Sequence, residues 1–240
     1  MTGNIRTQDI ASLKTILDGT SASIQIVGPD GVFIDCNAAT YTLFRAQNYE
    51  DIIGKPTSIL SPEKQSDGTY SDVGAKKYID KAFSGESTTF EWEHKRLDGT
   101  IIPCQVTLQL ITYEGQTCLM ATMIDITDLV AIRRKSELII EKSPIPIIDV
   151  RPDLSILAGN LAFGNLTDMS AEELSVMKLS DFNVQNRVGR SLTEGIETKS
   201  PVSGDLDAVV PSGTKHLQYL YYPIFDHNGT LSSIIAYYID

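Results

Sequence analysis

Short apolar runs separated by turn residues recur along the chain, and they predict β-strands. Residues 24–27 and 32–34 flank a Pro-Asp-Gly turn, as in a hairpin. Residues 88–96, 101–111 and 118–124 are separated by an Asp-Gly turn and a Glu-Gly turn. These three runs predict three further strands in succession.

The residues between the hairpin and the later strands have helical spacing. Tyr78, Ile79 and Phe83 share one side of a helix predicted over residues 75–83. Asn37 stands directly before another helical stretch, where its side chain can cap the helix by accepting from a free backbone N–H. Two strands, then helices, then three strands predict an α+β fold, in which helices pack on one face of a five-stranded antiparallel sheet.

The same order of elements occurs twice in the chain. Ile24 aligns with Ile147 and Asn37 with Asn160 without gaps, so Asn160 is predicted to cap an equivalent helix. The first copy is longer, and its extra residues are most simply placed in the polar stretch 61–74. The chain is therefore predicted to be a tandem of two related domains.

The ends of the two copies also correspond. Residues 98–100 align with 212–214, and the Ile-Asp pair at 124–125 aligns with the pair at 239–240. After the first pair the chain continues through Ile126-Thr127-Asp128 into a charged helical stretch. We therefore expect Asp240 to be the last residue of a fragment rather than a natural end.

Four segments follow from the repeat: a flanking helix over residues 1–20, a first domain over 21–127, a helical linker over 128–143 and a second domain over 144–240. Thr127 and Asp128 are suited to the start of the linker helix, where an acidic side chain favours the helix dipole. The linker seam fits either a short coiled coil or an amphipathic helix that packs on its own sheet. The seam positions of the linker are Leu129, Ile132, Ser136 and Ile139. The flanking helix has apolar residues at helical spacing, Ile10, Leu13, Ile16 and Leu17, which could cover the first sheet.

The last strands of the second copy are apolar on both alternating faces. Residues 217–225 and 234–239 lack the polar alternation of a half-exposed antiparallel strand. The outer face of the second sheet is therefore expected to be covered, either by a flanking helix or by a second subunit.

Composition narrows the classes of partner and location. The formal net charge of −11 repels nucleic acid and anionic lipid, so neither is an expected partner. No long uncharged apolar run or signal peptide is present, which predicts a cytoplasmic protein without membrane contact. Three scattered cysteines favour neither a disulfide framework nor a metal cluster.

Catalytic chemistry is not indicated. The sequence contains no phosphate-binding Gly-rich loop, nucleophile elbow or zinc-protease motif. No two histidines have metal-ligand spacing, so no metal site is predicted. His94 shares a strand face with Phe90 and Trp92, and is either a hydrogen-bonding group in a pocket or a sheet histidine satisfied locally.

Each copy resembles a PAS domain. The resemblance covers nearly the whole chain and rests on DGVFIDCNAA at 30–39, FEWEHKRLDGTIIPCQV at 90–106 and MIDIT at 123–127. The second copy departs from the pattern, with Ser212-Gly213 in place of Asp-Gly. The resemblance implies a sensory or dimerisation module of a prokaryotic signalling protein, C-terminally followed by an output domain such as that of a histidine kinase or a chemotaxis transducer.

The cofactors known in some members of that family are not expected here. A flavin-adduct domain would need a cysteine in the middle helical region, whereas Cys36 precedes Asn37 at the end of a strand. A haem domain commonly offers a histidine from the helix before the third strand, and residues 75–83 and 189–198 contain none. A haem or flavin sensor is thus the weakest alternative, and no cofactor is predicted.

The leading hypothesis is a non-enzymatic, homodimeric sensor that relays a signal to the output domain, with a ligand-free dimerisation and spacer module as the alternative. Any small-molecule ligand is expected between the inner sheet face and the middle helices, near Phe83, Phe90, Trp92 and His94. The relay is predicted to pass through Asp125, Ile126 and Thr127 into the linker helix, and through Asp240 at the end of the second copy.

Overall fold

The computed structural model describes Thr15 and residues 17–240. Of the predicted flanking helix, Ile10, Leu13 and Ile16 lie outside the described residues. The chain forms two compact units, Met1–Ala131 and Ile132–Asp240, which we call the first and second unit.

The first unit contains five strands in one antiparallel sheet, in the spatial order β2-β1-β5-β4-β3. From Ile102 to Leu108 every second residue of β4 is buried, because alternate side chains of a strand point to opposite faces. The hairpin glycines Gly99 and Gly115 have positive φ angles of 89° and 81°, which a residue without Cβ adopts at no steric cost. The elements are β1 Ser23–Val27, β2 Phe33–Cys36, α1 Ala38–Phe44, 3-10 turns Tyr49–Asp51 and Thr57–Leu60, α2 Ser71–Phe83, β3 Thr88–Lys95, β4 Ile101–Tyr113 and β5 Gln116–Asp125.

A helix, α3 Thr127–Glu141, follows β5 directly. None of its residues is buried. The seam residues Leu129, Ile132 and Ile139 are all more than half exposed, with Ile132 at 64%.

The second unit contains a six-stranded antiparallel sheet in the order β7-β6-β11-β10-β9-β8. The predicted α+β architecture is thus confirmed in both units, with one more strand than predicted in the second. The elements are β6 Ile147–Val150, β7 Ile156–Gly159, α4 Leu161–Thr167, α5 Ala171–Ser175, a 3-10 turn Leu179–Asp181, β8 Asn183–Gly189, α6 Leu192–Thr198, β9 Val202–Val210, β10 Gly213–Phe225 and β11 Leu231–Ile239.

The additional strand β8 lies where the sequence predicted short helical pieces. It pairs with β9 at the sheet edge, and five of its seven residues are polar or glycine, so it carries no alternating apolar signal. The equivalent part of the first unit is instead a loop followed by a longer helix. Helix α2 has 13 residues and α6 has 7, so much of the extra length of the first copy is helical rather than confined to a polar loop.

The outer face of the second sheet is partly open within the described chain. Tyr222, Ile224 and Ile239 are exposed on that face. Because α3 has no buried residue, the linker helix does not provide the expected cover.

The two asparagines predicted as helix caps differ. Asn160 is the N-cap of α4, and its side chain accepts from the Phe163 N–H at 3.0 Å, as predicted. Asn37 occupies the N-cap position of α1, but its side chain makes no capping hydrogen bond, so that prediction is wrong. Instead the Asp18 carboxylate accepts from the Ala38 N–H at 2.8 Å, which satisfies one of the free donors of the helix start.

Candidate functional site: a cavity in the first unit

The first unit contains a cavity of about 830 Å³. It lies between the inner face of the sheet, the helix α2 and the segment 57–63. Several of its lining residues are exposed, including Asp30, Glu63 and Tyr70, so the cavity opens to solvent. A volume of this size suits a small-molecule ligand.

All four residues predicted to contact a ligand line this cavity: Phe83, Phe90, Trp92 and His94. Phe83 ends α2, and the other three alternate along the inner face of β3. The structure thus brings the four to the same cavity, Phe83 from the helix and the others from the sheet, and their role as ligand contacts stays a prediction.

The aromatic side chains of the wall support one another. The rings of Tyr78 and Phe90 stack with centroids 3.7 Å apart, and Trp92 meets both edge-on at 6.4 and 6.0 Å. Each aromatic pair of this kind stabilises the fold by roughly 0.5–1.5 kcal/mol beyond the contribution of its buried area. They fix the orientation of the rings that a ligand would contact.

The loop that begins at Leu60 is attached to β3 by hydrogen bonds. Trp92 Nε1 donates to Ser61 Oγ at 3.3 Å. The Gln65 side chain pairs with the backbone of Glu93, accepting from its N–H at 2.9 Å and donating to its carbonyl at 3.2 Å. The polar residues of this loop therefore hold one side of the cavity in place, which the sequence analysis did not anticipate.

His94 is buried between this loop and the sheet. Its Nδ1 lies 2.8 Å from the Leu60 carbonyl oxygen, and its Nε2 has no partner among the described residues. Burial disfavours the charged imidazolium and lowers the pKa of His94 to about 4, although the bond to Leu60 opposes this shift. His94 is therefore a neutral side chain at physiological pH, and only one of its ring nitrogens is satisfied locally.

Gln25 is a cavity residue that sequence reasoning missed. It is fully buried on β1, with 0% exposure, and it lines the cavity beside Ala121 and Met123. Its signal in the sequence was a polar side chain on the inward phase of an otherwise apolar strand, between Ile24 and Ile26.

The equivalent region of the second unit is filled. Its cavity measures only about 30 Å³. The strand registers make Tyr219 and Tyr238 the counterparts of Val106 and Met123, because each pair faces its partner across the same two central strands. By the same register Tyr221 replaces Leu108, so three tyrosines occupy the space that remains open in the first unit.

The strands that pair with β4 and β10 on the other side, β3 and β9, show the complementary change. Across from Tyr219, β9 has Gly204, where the first unit has Phe90 across from Val106. A Cβ added at Gly204 would lie 2.5 Å from the Tyr219 hydroxyl oxygen, so the tyrosine needs the glycine. At this pair of positions the aromatic ring of the first unit, Phe90, lies on the edge strand β3. In the second unit the ring, Tyr219, lies on the central strand β10.

The predicted relay residues form a defined junction between β5 and α3. The Asp125 carboxylate accepts from the Thr127 N–H at 2.9 Å and from its hydroxyl at 2.5 Å, so Asp125 rather than Thr127 supplies the capping acceptor. Its other oxygen pairs with Arg96 at 3.1 Å. Ile126 is buried and donates its N–H to the Pro103 carbonyl at 3.0 Å, which ties the junction to β4.

A second junction occurs at the start of each sheet. The Asn37 side chain donates to the Leu17 and Ala22 carbonyls at 2.9 and 3.0 Å, and accepts from the Ile24 N–H. Asn160 makes the equivalent bonds in the second unit, donating to the carbonyls of Ile140 and Ile145 at 3.0 and 2.9 Å and accepting from the Ile147 N–H. Each asparagine thus joins the residues that precede a sheet to its first strand.

Comparison with known proteins identifies both units. A family model described as PAS fold matches residues 11–126, and one described as PAS domain matches residues 144–240. Among curated proteins, no sequence matches the chain. Within the described residues, no helix has the length and apolarity to cross a membrane, and no cluster of side chains is suited to hold a metal ion.

Solved structures that match part of the chain include isolated PAS domains. The PAS domain of nitrogen regulation protein NR(II) from Vibrio parahaemolyticus is 20% identical, with a TM-score of 0.38, and the match covers 47% of this chain and 96% of that one. A domain of a sensory box sensor histidine kinase/response regulator from Geobacter sulfurreducens is 15% identical, with a TM-score of 0.40, covering 50% and 98%. The PAS domain of a LuxR-family transcriptional regulator from Burkholderia thailandensis, in complex with ethanol, is 24% identical, with a TM-score of 0.37, covering 47% and 95%.

Proposed function

The chain belongs to the PAS family, as two domains in tandem, and on this basis we propose that it is the sensory part of a cytoplasmic sensor histidine kinase or chemotaxis transducer. In this proposal residues 21–127 and 144–240 are the domains and residues 128–143 link them. The first domain receives a small-molecule ligand, and the second transmits the resulting change without a ligand of its own. No catalytic step is assigned to either domain.

The assignment of ligand binding to the first domain and of ligand-free transmission to the second rests on the difference between the two cavities. The first domain offers about 830 Å³ lined by Phe83, Phe90, Trp92 and His94, whereas tyrosines reduce the second to about 30 Å³. A cavity of about 30 Å³ holds no more than a water molecule. The ligand-free spacer function considered above therefore suits the second domain, and sensing suits the first.

Mass spectrometry of denatured, freshly purified protein tests ligand binding. We expect a small molecule to be released from the wild type and not from Leu108→Tyr, which places in the first cavity the ring that fills the second. Gln109→Tyr is the matched control, because Gln109 is exposed on the other face of the same strand. Equal release from all three proteins would contradict a site in this cavity.

Signal transfer is proposed to run through the junction of Asp125, Ile126 and Thr127. A displacement of β5 moves the carboxylate that holds the start of α3, because Asp125 is bonded to Thr127 and Arg96 at once. Asp240 is the counterpart of Asp125 and would hold the start of a helix leading to the output domain. In the complete protein, Asp125→Ala with Thr127→Ala should uncouple output from ligand, while Asp128→Ala in the same helix turn should not. Unchanged coupling in the double variant would refute this route.

A homodimer is proposed through the exposed seam of α3. Leu129, Ile132 and Ile139 leave more than half of each side chain in solvent, at the spacing of a two-stranded coiled coil. Light scattering should give a dimer mass for the wild type and a monomer mass for Ile132→Lys. Glu137→Lys, which lies off the seam, should remain dimeric. A wild-type monomer would rule out this arrangement.

A further inference from the structure

The hydrogen bonds around Gln25 determine which way its buried amide points. The Ile24 N–H donates to Asn37 Oδ1 at 2.9 Å, which identifies that atom as an acceptor. The Thr40 hydroxyl lies 3.1 Å from Asn37 Oδ1 and 3.2 Å from the Ile24 carbonyl oxygen, and both can only accept, so Thr40 donates its proton to them. Ser23, 2.9 Å from Thr40 Oγ1, must then donate to Thr40.

With its own proton used, the Ser23 oxygen accepts from the Gln25 amide nitrogen at 3.1 Å. The same nitrogen lies 3.6 Å from the Met123 sulfur, a second weak acceptor. The Gln25 oxygen, Oε1, therefore points away from both, and it has no partner among the described residues. Leaving a buried amide oxygen unpaired costs about 1–3 kcal/mol.

His94 Nε2, the other unpaired polar atom of the cavity lining, is also an acceptor. Because the Leu60 carbonyl can only accept, His94 Nδ1 carries the ring hydrogen and Nε2 is left as an acceptor. Two strands, β5 and β4, lie between the strands of Gln25 and His94, which places the two at opposite sides of the sheet, about 14 Å or more apart. Both residues line the cavity, and among the described lining residues the unpaired buried atoms are these two acceptors and no donor.

The charges of the lining restrict the charge of a ligand. Three carboxylates, Asp30, Glu63 and Asp72, and one cation, Lys95, are the charged groups of the lining, in a chain of net charge −11. This excess of negative charge repels anions from the opening of the cavity. The sheet side of the wall carries no charged partner beside Gln25, so a buried cation would also be unpaired there, at a large cost.

We propose that the first-domain cavity binds an uncharged, mainly apolar small molecule that donates a hydrogen bond from a hydroxyl or N–H group to Gln25 Oε1. The apolar body packs on the lining contributed by Leu108, Ala121 and Met123, and the donor satisfies the one unpaired atom beside them. This inference rests on the proposed function, since it names the ligand class of the same site.

The test uses three probes that share a biphenyl body: 4-phenylphenol, its methyl ether 4-methoxybiphenyl, and biphenyl-4-carboxylate. Binding is followed by the fluorescence of Trp92, the only tryptophan of the chain and itself part of the cavity wall. We expect the phenol to bind about tenfold more tightly than the ether, in which a methyl group replaces the hydrogen that would be donated, and the carboxylate to bind most weakly.

In Gln25→Met the phenol and the ether should bind equally, and Gln25→Leu serves the same purpose if the methionine variant does not fold. Gln109→Met makes the same exchange on the outer face and should keep the tenfold preference. Equal binding of phenol and ether to the wild type, tightest binding of the carboxylate, or a preference that persists without Gln25 would each overturn the inference while leaving a receptor cavity in place. Failure of all three probes to change either the fluorescence or the melting temperature would overturn the inference and the receptor function together.

Discussion

The buried His94 predicts a specific dependence of stability on pH. The pKa of an unperturbed histidine is about 6.5, and burial lowers that of His94 to about 4. Between these values the unfolded chain binds a proton at His94 and the folded chain does not, so stability falls as the pH falls. Since one pKa unit corresponds to about 1.36 kcal/mol, the first domain should lose about 3 kcal/mol between pH 6.5 and pH 4 from this residue alone.

Urea unfolding followed by Trp92 fluorescence isolates the effect, because the single tryptophan lies in the same domain as His94. His94→Asn keeps a donor for the Leu60 carbonyl and removes the titration. The difference in unfolding free energy between wild type and variant should change by about 3 kcal/mol across this pH range and be constant above it. The exposed His216 provides the control, since His216→Asn should leave the curve of the first domain unchanged. Parallel curves for the wild type and His94→Asn would refute the assignment of a buried neutral imidazole.

Three further predictions concern the junction and the second domain. Asp125→Ala removes the acceptor for two bonds from Thr127 and should destabilise the first domain by about 1 kcal/mol in urea unfolding, whereas an unchanged midpoint would show that the cap contributes nothing. Gly204→Ala places a Cβ 2.0 Å from a β8 carbonyl oxygen and should lower the unfolding free energy of the second domain, followed by circular dichroism, by about 1–3 kcal/mol. A variant as stable as the wild type would contradict the close packing of β8 on Gly204. Tyr221→Leu should cost about 2–4 kcal/mol by opening a void in the second core, and a variant as stable as the wild type would contradict the filled-core interpretation.

The first domain was predictable because its strands alternate and its turns use Gly. The strands predicted at 88–96, 101–111 and 118–124 differ from β3, β4 and β5 by a few residues at their ends. Three of the four proposed ligand contacts, Phe90, Trp92 and His94, were found together because strand periodicity alone decides which side chains of β3 share a face.

The second domain was harder because the aligned sequences shift by one residue within the sheet. Aligning residues 98–100 with 212–214 would set Leu220 opposite the position of Tyr238, whereas the sheet pairs Tyr219 with Tyr238. A shift of one residue exchanges the two faces of a strand, so the alignment pointed the wrong side chains of β10 at the core. Because both faces of β10 are apolar, its hydrophobic pattern does not indicate which face is buried.

The roles of Gln25 and Asn37 depend on long-range partners. Asn37 was expected to cap α1 because the position and residue type are right, yet its amide and oxygen bond to residues 13 to 20 positions earlier in the chain. Local sequence preferences cannot rank such distant competitors for the same side chain. The same holds for Gln25, whose amide orientation depends on the chain of bonds through Ser23 and Thr40.

The first domain pairs Phe90 with Val106, whereas the second pairs Gly204 with Tyr219 at the equivalent positions. This difference constrains the order in which substitutions can accumulate in two such domains. With Tyr219 in place, no side chain larger than hydrogen fits at position 204. Gly204→Phe needs both Tyr219→Val and a displacement of β8, because a Cβ at position 204 also lies 2.0 Å from the Val188 carbonyl oxygen. An open cavity and a filled core are therefore separated by substitutions that must occur in a fixed order, and a substitution that is harmless in one background is excluded in the other.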